Sequence, residues 1–394
     1  MEAARSMVPA MNAITVPLGF LSLIAAAGYI VLAVLAALAG RLRQSAVTSL
    51  SSPAPVTILK PLCGAEPGLL ENLRSFCVQD YPNFQIVFGV RDAADPACAV
   101  AERLIAEFAS IPIALVVDPT LHGGNRKVSN LINMLPRAQH EILVMADSDA
   151  CVGPDYLAAV TAPLNDPAVG LVTCLYRARP TGGIWSRLGA MYVNEWYMPL
   201  VLLSWLLGYR GYVSGQTVCM RHSTLREAGG LESLANQLAE DHRMGQLVRC
   251  LGLRIELSPY VIDGEQHEVD LKSVTRHELR WMRTIRALRP RSFLGVFLTF
   301  SFPLAVLGMA LVSDMPTISP AAWGLFGGGI AARVALHFLH RRKGGRLDFS
   351  DLWLLPICDT LIAWVWLLSF FTSRIGWRND EFDVGADGVL RPLP

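Results

Sequence analysis

The stretch EILVMADSD, residues Glu141–Asp149, decides the fold because a mostly apolar run of six residues is followed there by two aspartates. Such a run is typical of a parallel strand that is covered on both faces. Open α/β sheets bind ligands beyond the carboxyl ends of their strands, so Asp147 and Asp149 are expected at a ligand-binding edge. Two acids at this spacing suit a divalent cation, although a polar turn before Gly153-Pro154 explains them equally well.

The region around this stretch is predicted to be one α/β domain, because short apolar runs alternate with longer helical stretches from Pro53 to about Asp263. Strands are predicted at Val56–Lys60, Gln85–Val90, Ile113–Val117, Glu141–Ala146, Gly170–Tyr176 and Tyr212–Met220. Helices are predicted at Pro67–Gln79, Pro96–Ser110, Lys127–Leu135, Pro154–Leu164 and Leu234–Leu251. The alternation favours a doubly wound sheet with helices on both faces.

The first long apolar segment, Val16–Gly40, contains no charged residue and is long enough to cross a bilayer. Arg41 and Arg43 follow it directly, so the positive-inside rule places the downstream domain in the cytoplasm. A cleaved signal peptide is the alternative, but the apolar core of such a peptide has only about 7–15 residues. The composition agrees with membrane insertion, since 52% of the 394 residues are hydrophobic.

Three further apolar segments follow the α/β region: Phe293–Val312, Ile318–Leu339 and Leu352–Phe371. Each is long enough to span a bilayer, although the middle one contains Arg333 and the last contains Asp359. Charges inside spans are costly and usually partnered, and an antiparallel hairpin brings these two to a similar depth. We therefore predict that Arg333 pairs with Asp359. Independent snorkelling of the arginine, with the aspartate lining a polar cavity, is the alternative.

These segments divide the chain into four parts. We expect an N-terminal transmembrane anchor at residues 1–45, a cytosolic α/β domain at 53–290, a C-terminal transmembrane helical region at 291–373 and a tail at 374–394. The net charge of +1 gives no global field that would favour nucleic acid as a partner. The eight cysteines show no zinc-binding spacing, and we expect them to be reduced.

Polar residues follow four of the predicted strands. In sequence order these are Lys60-Pro61, Asp92, the loop His122–Lys127, and Asp147 with Asp149. Together they suit a nucleotide-sugar pocket, in which the acids bind nucleotide and metal while Lys127 and the glycine-loop amides bind phosphates. Two simpler interpretations stay open: Asp92 caps the helix after Asp95-Pro96, and Gly123-Gly124 forms an ordinary turn.

A second acidic pair, Glu240-Asp241, is predicted inside a helix. A carboxylate that faces the sheet edge there suits a general base that takes a proton from an acceptor hydroxyl. The alternative is an exposed helical acid that pairs with Arg243. Further along, Arg276–Trp281 begins an arginine-rich amphipathic stretch that alone indicates a membrane-surface helix.

An aromatic segment, Trp185–Gly208, lies between these two groups of acids. Its uncharged part, Trp196–Gly208, is too short to span a bilayer and indicates an interfacial element where a lipid could enter. A core helix is the alternative, since aromatic stripes usually pack inside a protein.

The order of these motifs resembles that of inverting glycosyltransferases that act processively or on lipids: Asp92, Asp147-Ser-Asp149, Glu240-Asp241 and x-x-Arg280-Trp281. The stretches Leu59–Leu69, Gln79–Pro82, Lys127–Leu131 and Glu227–Leu231 are similar to those of the ceramide glucosyltransferase family, glycosyltransferase family 21. Within it, His277–Arg286 and Asn125–Leu135 look most like the bacterial hopanoid-biosynthesis branch. One departure is His277, which stands where the wider pattern has Gln or Arg.

This resemblance implies a GT-A fold, a Rossmann-like nucleotide-sugar domain, together with transmembrane helices in a multi-pass protein of the bacterial inner membrane. It implies nucleotide contacts from Asp92 and Asp147, Mg²⁺ or Mn²⁺ at Asp149, Asp241 as base, and Arg280-Trp281 near diphosphate and acceptor. The implied reaction moves N-acetylglucosamine from UDP-GlcNAc to the lipid bacteriohopanetetrol with inversion. UDP-glucose with ceramide is the nearest alternative, and a processive polysaccharide synthase or a non-catalytic membrane scaffold is more distant.

Overall fold

The computed structural model describes residues 2–44, 53–313, 319–340, 342–343, 346–347, 349–372, 374–377, 380–385 and 388–392. The chain forms two compact units. The sheet unit consists of Leu42–Ser186, Leu207–His267 and Arg374–Pro394. The helical unit consists of Met1–Arg41, Arg187–Leu206 and Glu268–Ser373. The segment 268–290, which we expected to be part of the α/β domain, thus groups with the apolar helices.

An eight-stranded mixed sheet forms the centre of the sheet unit, in the order β3-β2-β1-β4-β7-β6-β8-β5. The strands are β1 (Val56–Pro61), β2 (Phe84–Val90), β3 (Ile113–Val117), β4 (Ile142–Met145), β5 (Ala150–Cys151), β6 (Val169–Pro180), β7 (Val218–Arg221) and β8 (Arg254–Gln266). The first four are parallel, β7 is antiparallel to both of its neighbours, β6 and β8 are parallel, and β5 is antiparallel to β8. β2 and β4 are buried throughout, which explains why their sequences are continuous apolar runs.

The helices of both units are α1 (Glu2–Gln44), α2 (Leu69–Cys77), α3 (Ala97–Glu107), α4 (Arg126–Met134), α5 (Tyr156–Thr161), α6 (Gly183–Met191), α7 (Met198–Leu206), α8 (His222–Glu227), α9 (Glu240–Cys250), α10 (Leu271–Leu288), α11 (Pro290–Leu294), α12 (Ser301–Val312), α13 (Pro320–His340) and α14 (Leu355–Leu368). A π-helical segment, Tyr192–Tyr197, joins α6 to α7. Short 3₁₀ turns lie at Leu135–Arg137, Ala162–Asn165, Glu232–Leu234, Gly295–Thr299 and Leu352–Leu354. Short strands near the C-terminus are β9 (Arg342–Lys343), β10 (Arg346–Leu347), β11 (Arg374–Trp377), β12 (Asp380–Val384) and β13 (Leu390–Pro392).

Most predicted elements of the sheet unit are confirmed, and two predictions are wrong in ways that matter for the site. The predicted strand Tyr212–Met220 shrinks to β7, which leaves residues 212–217 outside the regular strands. The predicted helix Leu234–Leu251 begins only at Glu240. A third difference is β8, which we did not predict because Pro259 and Gly264 interrupt its pattern.

The apolar helices of the helical unit agree only in part with the four predicted spans. Among the described residues, Ala13–Arg43 and Pro320–His340 are long and apolar enough to cross a membrane. The predicted span Phe293–Val312 is not straight, because Pro290–Thr299 and Ser301–Val312 are bent by 66°, as in a broken span or a re-entrant loop. The last segment is a shorter apolar helix, Leu352–Leu368. Of the predicted third span, Ile318 lies outside the described residues.

A closed cluster of charges lies inside the helical unit. Arg333 Nη2 contacts Asp359 Oδ1 at 2.8 Å, which confirms the predicted pair. Arg333 Nη1 also contacts Glu195 Oε2 at 2.7 Å, and Glu195 Oε1 contacts His337 Nδ1 at 2.9 Å. Ser301 donates to Asp359 Oδ2 at 3.1 Å. Glu195 comes from the π-helical segment, so this cluster ties three helices and that segment together.

Most of the aromatic segment, Arg187–Leu206, belongs to the helical unit, and its tryptophans are buried there, as the core-helix alternative predicted. Trp196 and Trp205 are each only 4% exposed. The ring of Trp281, on α10, makes edge contacts with Tyr192 and Tyr197 at centroid distances of 6.1 and 5.0 Å. The tyrosines of the π-helical segment therefore support the tryptophan of the x-x-Arg-Trp motif.

Candidate active site

Lys127 is the cation around which the site of the sheet unit is built. Asn125 caps α4 by accepting a hydrogen bond from Val128 N at 3.0 Å, and this cap places Lys127 in the first helical turn. Its Nζ contacts Asp147 Oδ1 at 2.5 Å and Glu240 Oε1 at 2.7 Å. Burial opposes the charge, but the two carboxylates raise the pKa of Lys127 above its ordinary value. The lysine therefore stays charged and joins an acid that follows β4 to an acid of α9.

The two acids of α9 have different partners. Glu240 binds Lys127 through one oxygen and accepts from Asn125 Nδ2 at 3.2 Å through the other. Asp241 accepts backbone N–H groups instead, from Gly215 at 2.8 Å and from His242 at 2.6 Å. Burial, and then the neighbouring Glu240 carboxylate, raise the pKa of Asp241 to about 7. A carboxylate with such a pKa can take up a proton near neutral pH.

The alternative of an exposed helical acid is wrong for this pair. Arg243 donates from Nη1 to Gln246 Oε1 at 3.0 Å rather than to either acid. Because α9 begins only at Glu240, both Glu240 and Asp241 lie in its first turn. The direction of their side chains therefore depends on the loop before the helix. Acids are also favoured electrostatically at this end of a helix.

The turn that carries Asp147 and Asp149 is held by a hydrogen bond from a buried lysine. Lys60, at the end of β1, is fully buried, donates to the backbone carbonyl of Asp147 and lies 3.8 Å from the centroid of the Phe76 ring. Burial lowers the pKa of Lys60 to about 7. Asp149 Oδ1 accepts from Gln216 Nε2 at 3.0 Å. The two aspartates are thus held by different groups, one by a cation and the other by an amide.

The loop Ser214–Thr217 lies against three acids of the site, Asp147, Asp149 and Asp241, and we did not predict it. Gly215 N donates to Asp241, and Gln216 binds Asp149. A Cβ added to Gly215 would lie 2.8 Å from Lys127 Nζ and 3.1 Å from Asp147 Oδ2, so a side chain would displace the ion pair. The signal was present in the sequence, because an isolated glycine within a strand pattern often marks a close approach of another group.

The remaining predicted residues are Asp92, Arg280 and Trp281. Asp92 is exposed and accepts from Ala94 N at 2.9 Å, so it closes a turn after β2. The cap of α3 comes from Asp95, which accepts from Ala97 N at 2.9 Å. Arg280 and Trp281 belong to α10 of the helical unit.

The donor set at Asp149 fits a divalent cation that shares its coordination with a substrate. The described residues contain no group of three His, Cys, Asp or Glu side chains arranged around one point. Mg²⁺ is nevertheless usually held by one or two carboxylates together with substrate phosphates. Lys127 already pairs with Asp147, whereas the described hydrogen-bond partner of the Asp149 carboxylate is an uncharged amide.

The sequence relationships identify the family of the chain. The family model described as Glycosyl transferase family 21 matches residues 20–390. The chain belongs to this family. It is 23% identical over 358 residues to ceramide glucosyltransferase 1 of Caenorhabditis elegans, which covers 85% of this chain and 73% of the relative. It is 32% identical over 114 residues to the ceramide glucosyltransferase of Komagataella phaffii, covering 28% of this chain and 22% of the relative.

The fold of this family 21 glycosyltransferase also matches a solved structure. The mannosyltransferase from Pyrobaculum calidifontis, in complex with GDP-Man and Mn²⁺, superposes with a TM-score of 0.52 at 18% identity, covering 90% of this chain and 99% of that one. The mixed sheet with flanking helices is therefore a GT-A fold, which confirms the predicted fold class.

Proposed function

We propose that this enzyme is an inverting, metal-dependent glycosyltransferase that moves N-acetylglucosamine from UDP-GlcNAc to a hydroxyl of bacteriohopanetetrol. The observation that carries the proposal is Asp241, a partly buried carboxylate whose pKa is raised to about 7, beside the Lys127–Asp147 pair at the edge of a GT-A sheet. A base, a cation for phosphates and a free acid for a metal are the groups that such a transfer needs.

In the proposed reaction, the lipid hydroxyl attacks the anomeric carbon while the bond from that carbon to the UDP oxygen breaks. Asp241 takes the proton of the hydroxyl, and its hydrogen bond from Gly215 N fixes the direction of the carboxylate. Lys127, anchored by Glu240, attracts the diphosphate. In-line attack inverts the configuration of the sugar.

The other predicted residues bind the donor in this proposal. Asp92 and Asp147 contact the nucleotide, and Asp149 holds Mg²⁺ or Mn²⁺. When bound, the metal neutralises charge on the leaving diphosphate. Arg280 and Trp281 are assigned to diphosphate and acceptor on the resemblance of the x-x-Arg-Trp motif alone.

A lipid acceptor is supported by the apolar helices and by the relatives that are ceramide glucosyltransferases. The hopanoid is favoured by the resemblance of Asn125–Leu135 and His277–Arg286 to that bacterial branch. Transfer of glucose from UDP-glucose to ceramide is the second candidate, since the C. elegans relative that bears this name covers 85% of the chain. We further propose a multi-pass protein of the bacterial inner membrane with the sheet unit in the cytoplasm, because Arg41 and Arg43 follow the first apolar helix.

The decisive experiment incubates the purified protein with either UDP-sugar and either lipid, and reads the product by mass spectrometry. A GlcNAc-bacteriohopanetetrol product supports the first candidate, and glucosylceramide supports the second. Loss of product in EDTA that returns with Mn²⁺ or Mg²⁺ tests the metal. The Asp241→Asn variant is the control, and no lipid product in any of the four mixtures would contradict the proposal.

A further inference from the structure

The C-terminal strand β13 lies against the loop that leads into α9, within the sheet unit. Val389 pairs with Gln237 in an antiparallel bridge. Two backbone hydrogen bonds flank that bridge, from Leu238 N to Gly388 O and from Leu390 N to Asn236 O, both at 2.9 Å. Residues some 150 positions apart in the chain are thereby held in register.

The opposite side of the same loop is held by the glycine loop before α4. Ala235 O accepts from Asn125 N at 2.8 Å, and Asn236 Oδ1 accepts from Gly124 N at 2.9 Å. Leu390 is only 3% exposed, and its Cβ lies 3.4 Å from where a Cβ of Gly124 would stand. The loop 235–238 is therefore enclosed between the glycine loop and the C-terminal strand.

We propose that the C-terminal strand is a positioning element of the active site, which fixes the loop 235–238 and through it the first turn of α9. This inference rests on the proposed role of Asp241 as the base. The loop is followed by Ala239, the N-cap of α9 and the residue directly before the two acids, so a shift of the loop displaces both carboxylates. Leu390 contributes by its backbone N–H and by its buried side chain, and it touches no reacting group itself.

The physical argument is that a small shift of the loop displaces a catalytic group. A misplacement of a catalytic group by about 1 Å costs on the order of 10²-fold in rate. The loop 235–238 consists of turn and bend residues with one bridge residue, without the continuous hydrogen bonding of a helix, so its position depends on its neighbours. Loss of the C-terminal contact removes two of the described backbone hydrogen bonds that hold it, those between Leu238 and Gly388 and between Leu390 and Asn236.

The test combines the variant Leu390→Ala with an engineered disulfide. Gln237 and Val389 form a pair without mutual hydrogen bonds, for which Cα atoms are about 4.5 Å apart, within the range of disulfides. Gln237→Cys with Val389→Cys can thus lock the strand onto the loop. The exposed Cys63 and Cys250 are replaced by serine in every variant.

We expect Leu390→Ala to lower kcat about tenfold to 100-fold while the KM for the donor changes less than about twofold. The triple variant combines Leu390→Ala with Gln237→Cys and Val389→Cys. When its disulfide is oxidised, its kcat should return to within about threefold of the kcat of the oxidised variant that carries the two cysteines alone. Reduction by dithiothreitol should abolish this recovery. Hydrogen exchange at Leu238 N–H rises in Leu390→Ala and falls again on oxidation. Leu251→Ala removes the same atoms from a 39%-exposed side chain at the end of α9 and leaves kcat unchanged.

Two results would overturn the proposal. One is an unchanged kcat in Leu390→Ala, and the other is a low kcat that persists in the oxidised triple variant although Leu238 N–H is protected. The exchange measurement separates this inference from the proposed function, because it needs no substrate. If the wild-type protein transfers no sugar, unaltered protection of Leu238 N–H in Leu390→Ala would still refute the strand's role in holding the loop.

Discussion

Among the described residues, each unit contains a cluster in which a cation joins two carboxylates, and these two clusters differ in exposure. In the sheet unit, Lys127 joins Asp147 and Glu240, and the three side chains are 20%, 31% and 15% exposed. In the helical unit, Arg333 joins Glu195 and Asp359, and the corresponding values are 6%, 1% and 7%. The same type of ion pair is thus accessible to solutes in one unit and sealed in the other.

The difference teaches how a site is distinguished from a structural cluster. Beside Lys127 stand two further acids, Asp149 and Asp241, whose described hydrogen bonds come from an amide side chain and from backbone N–H groups. In the helical unit both carboxylates are bound by a cation or by the His337 ring. Accessible acids without a cation can bind a metal or take up a proton, whereas a buried cluster whose carboxylates are both paired with a cation holds helices together.

The largest expected effect comes from removing the charge of the proposed base. Asp241→Asn should lower the transfer rate by about 10²–10⁴-fold, because the lipid hydroxyl then keeps its proton. UDP binding, measured by calorimetry, should change less than about threefold, and the unfolding temperature should stay near that of the wild type. Turnover at the wild-type rate would show that another group is the base.

Breaking the buried cluster of the helical unit is expected to cost a comparable free energy, in this case in the stability of the protein. Arg333→Met leaves Glu195 and Asp359 buried without their shared cation, and we expect a loss of about 3–5 kcal/mol in the free energy of unfolding. Denaturant unfolding of the detergent-solubilised protein measures it. Arg254→Met is the control, since this arginine is 59% exposed in its pair with Asp166 and should cost under about 1 kcal/mol.

The exchange of charges in the same pair tests their contact more directly. Arg333→Asp and Asp359→Arg should each destabilise the protein, and the double exchange should regain part of the loss. The recovery is incomplete because Glu195 would then face an aspartate. If the double variant loses as much stability as the two single variants lose together, the two residues do not interact directly.

The accessible cluster should lose activity rather than stability when its cation is removed. Lys127→Gln keeps much of the side-chain length but leaves Asp147 and Glu240 without a shared positive charge. We expect kcat/KM for the donor to fall about 10–100-fold, equivalent to about 1.4–2.7 kcal/mol, mainly through KM. Steady-state kinetics with varied donor measure this, with the exposed Lys272→Gln as control; an unchanged KM would argue against a diphosphate contact.

The smallest effect is a shift in pH dependence. With the pKa of Asp241 at about 7, kcat/KM should rise with pH up to about 7 and level off above, because only the ionised carboxylate accepts a proton. Glu240→Gln removes a neighbouring negative charge, so the pKa should fall and the limb should move by about one unit to lower pH. A shift to higher pH would show that the loss of the Lys127 contact dominates instead.

The parts of this arrangement that depend on local sequence were predictable. The run before Asp147 identifies its own strand, and the lone charges of two apolar segments, Arg333 and Asp359, require a partner. Glu195 is equally isolated among apolar and aromatic residues, and the same reasoning applied to it would have indicated its burial.

The parts that depend on distant contacts were not predictable from one sequence. The roles of Gly215 and Asn125 follow from a lysine and an acid that reach them from other elements. The start of α9 was predicted too early because residues 235–239 have helical composition, while hydrogen bonds to Asn125 and to the C-terminal strand hold them in another conformation. Tertiary contacts thus override local propensity at the site.

The return of the C-terminal strand to the sheet unit also imposes a parity rule on membrane topology. The chain leaves that unit at Glu268 and re-enters it at Arg374, so it must cross any bilayer an even number of times in between. If α13 crosses, one of its two apolar neighbours, the bent pair or the short helix Leu352–Leu368, crosses with it and the other turns back. The segment Arg187–Leu206 also leaves the sheet unit and returns to it, but it is too short to cross a bilayer twice, because a single crossing already takes about 20 residues.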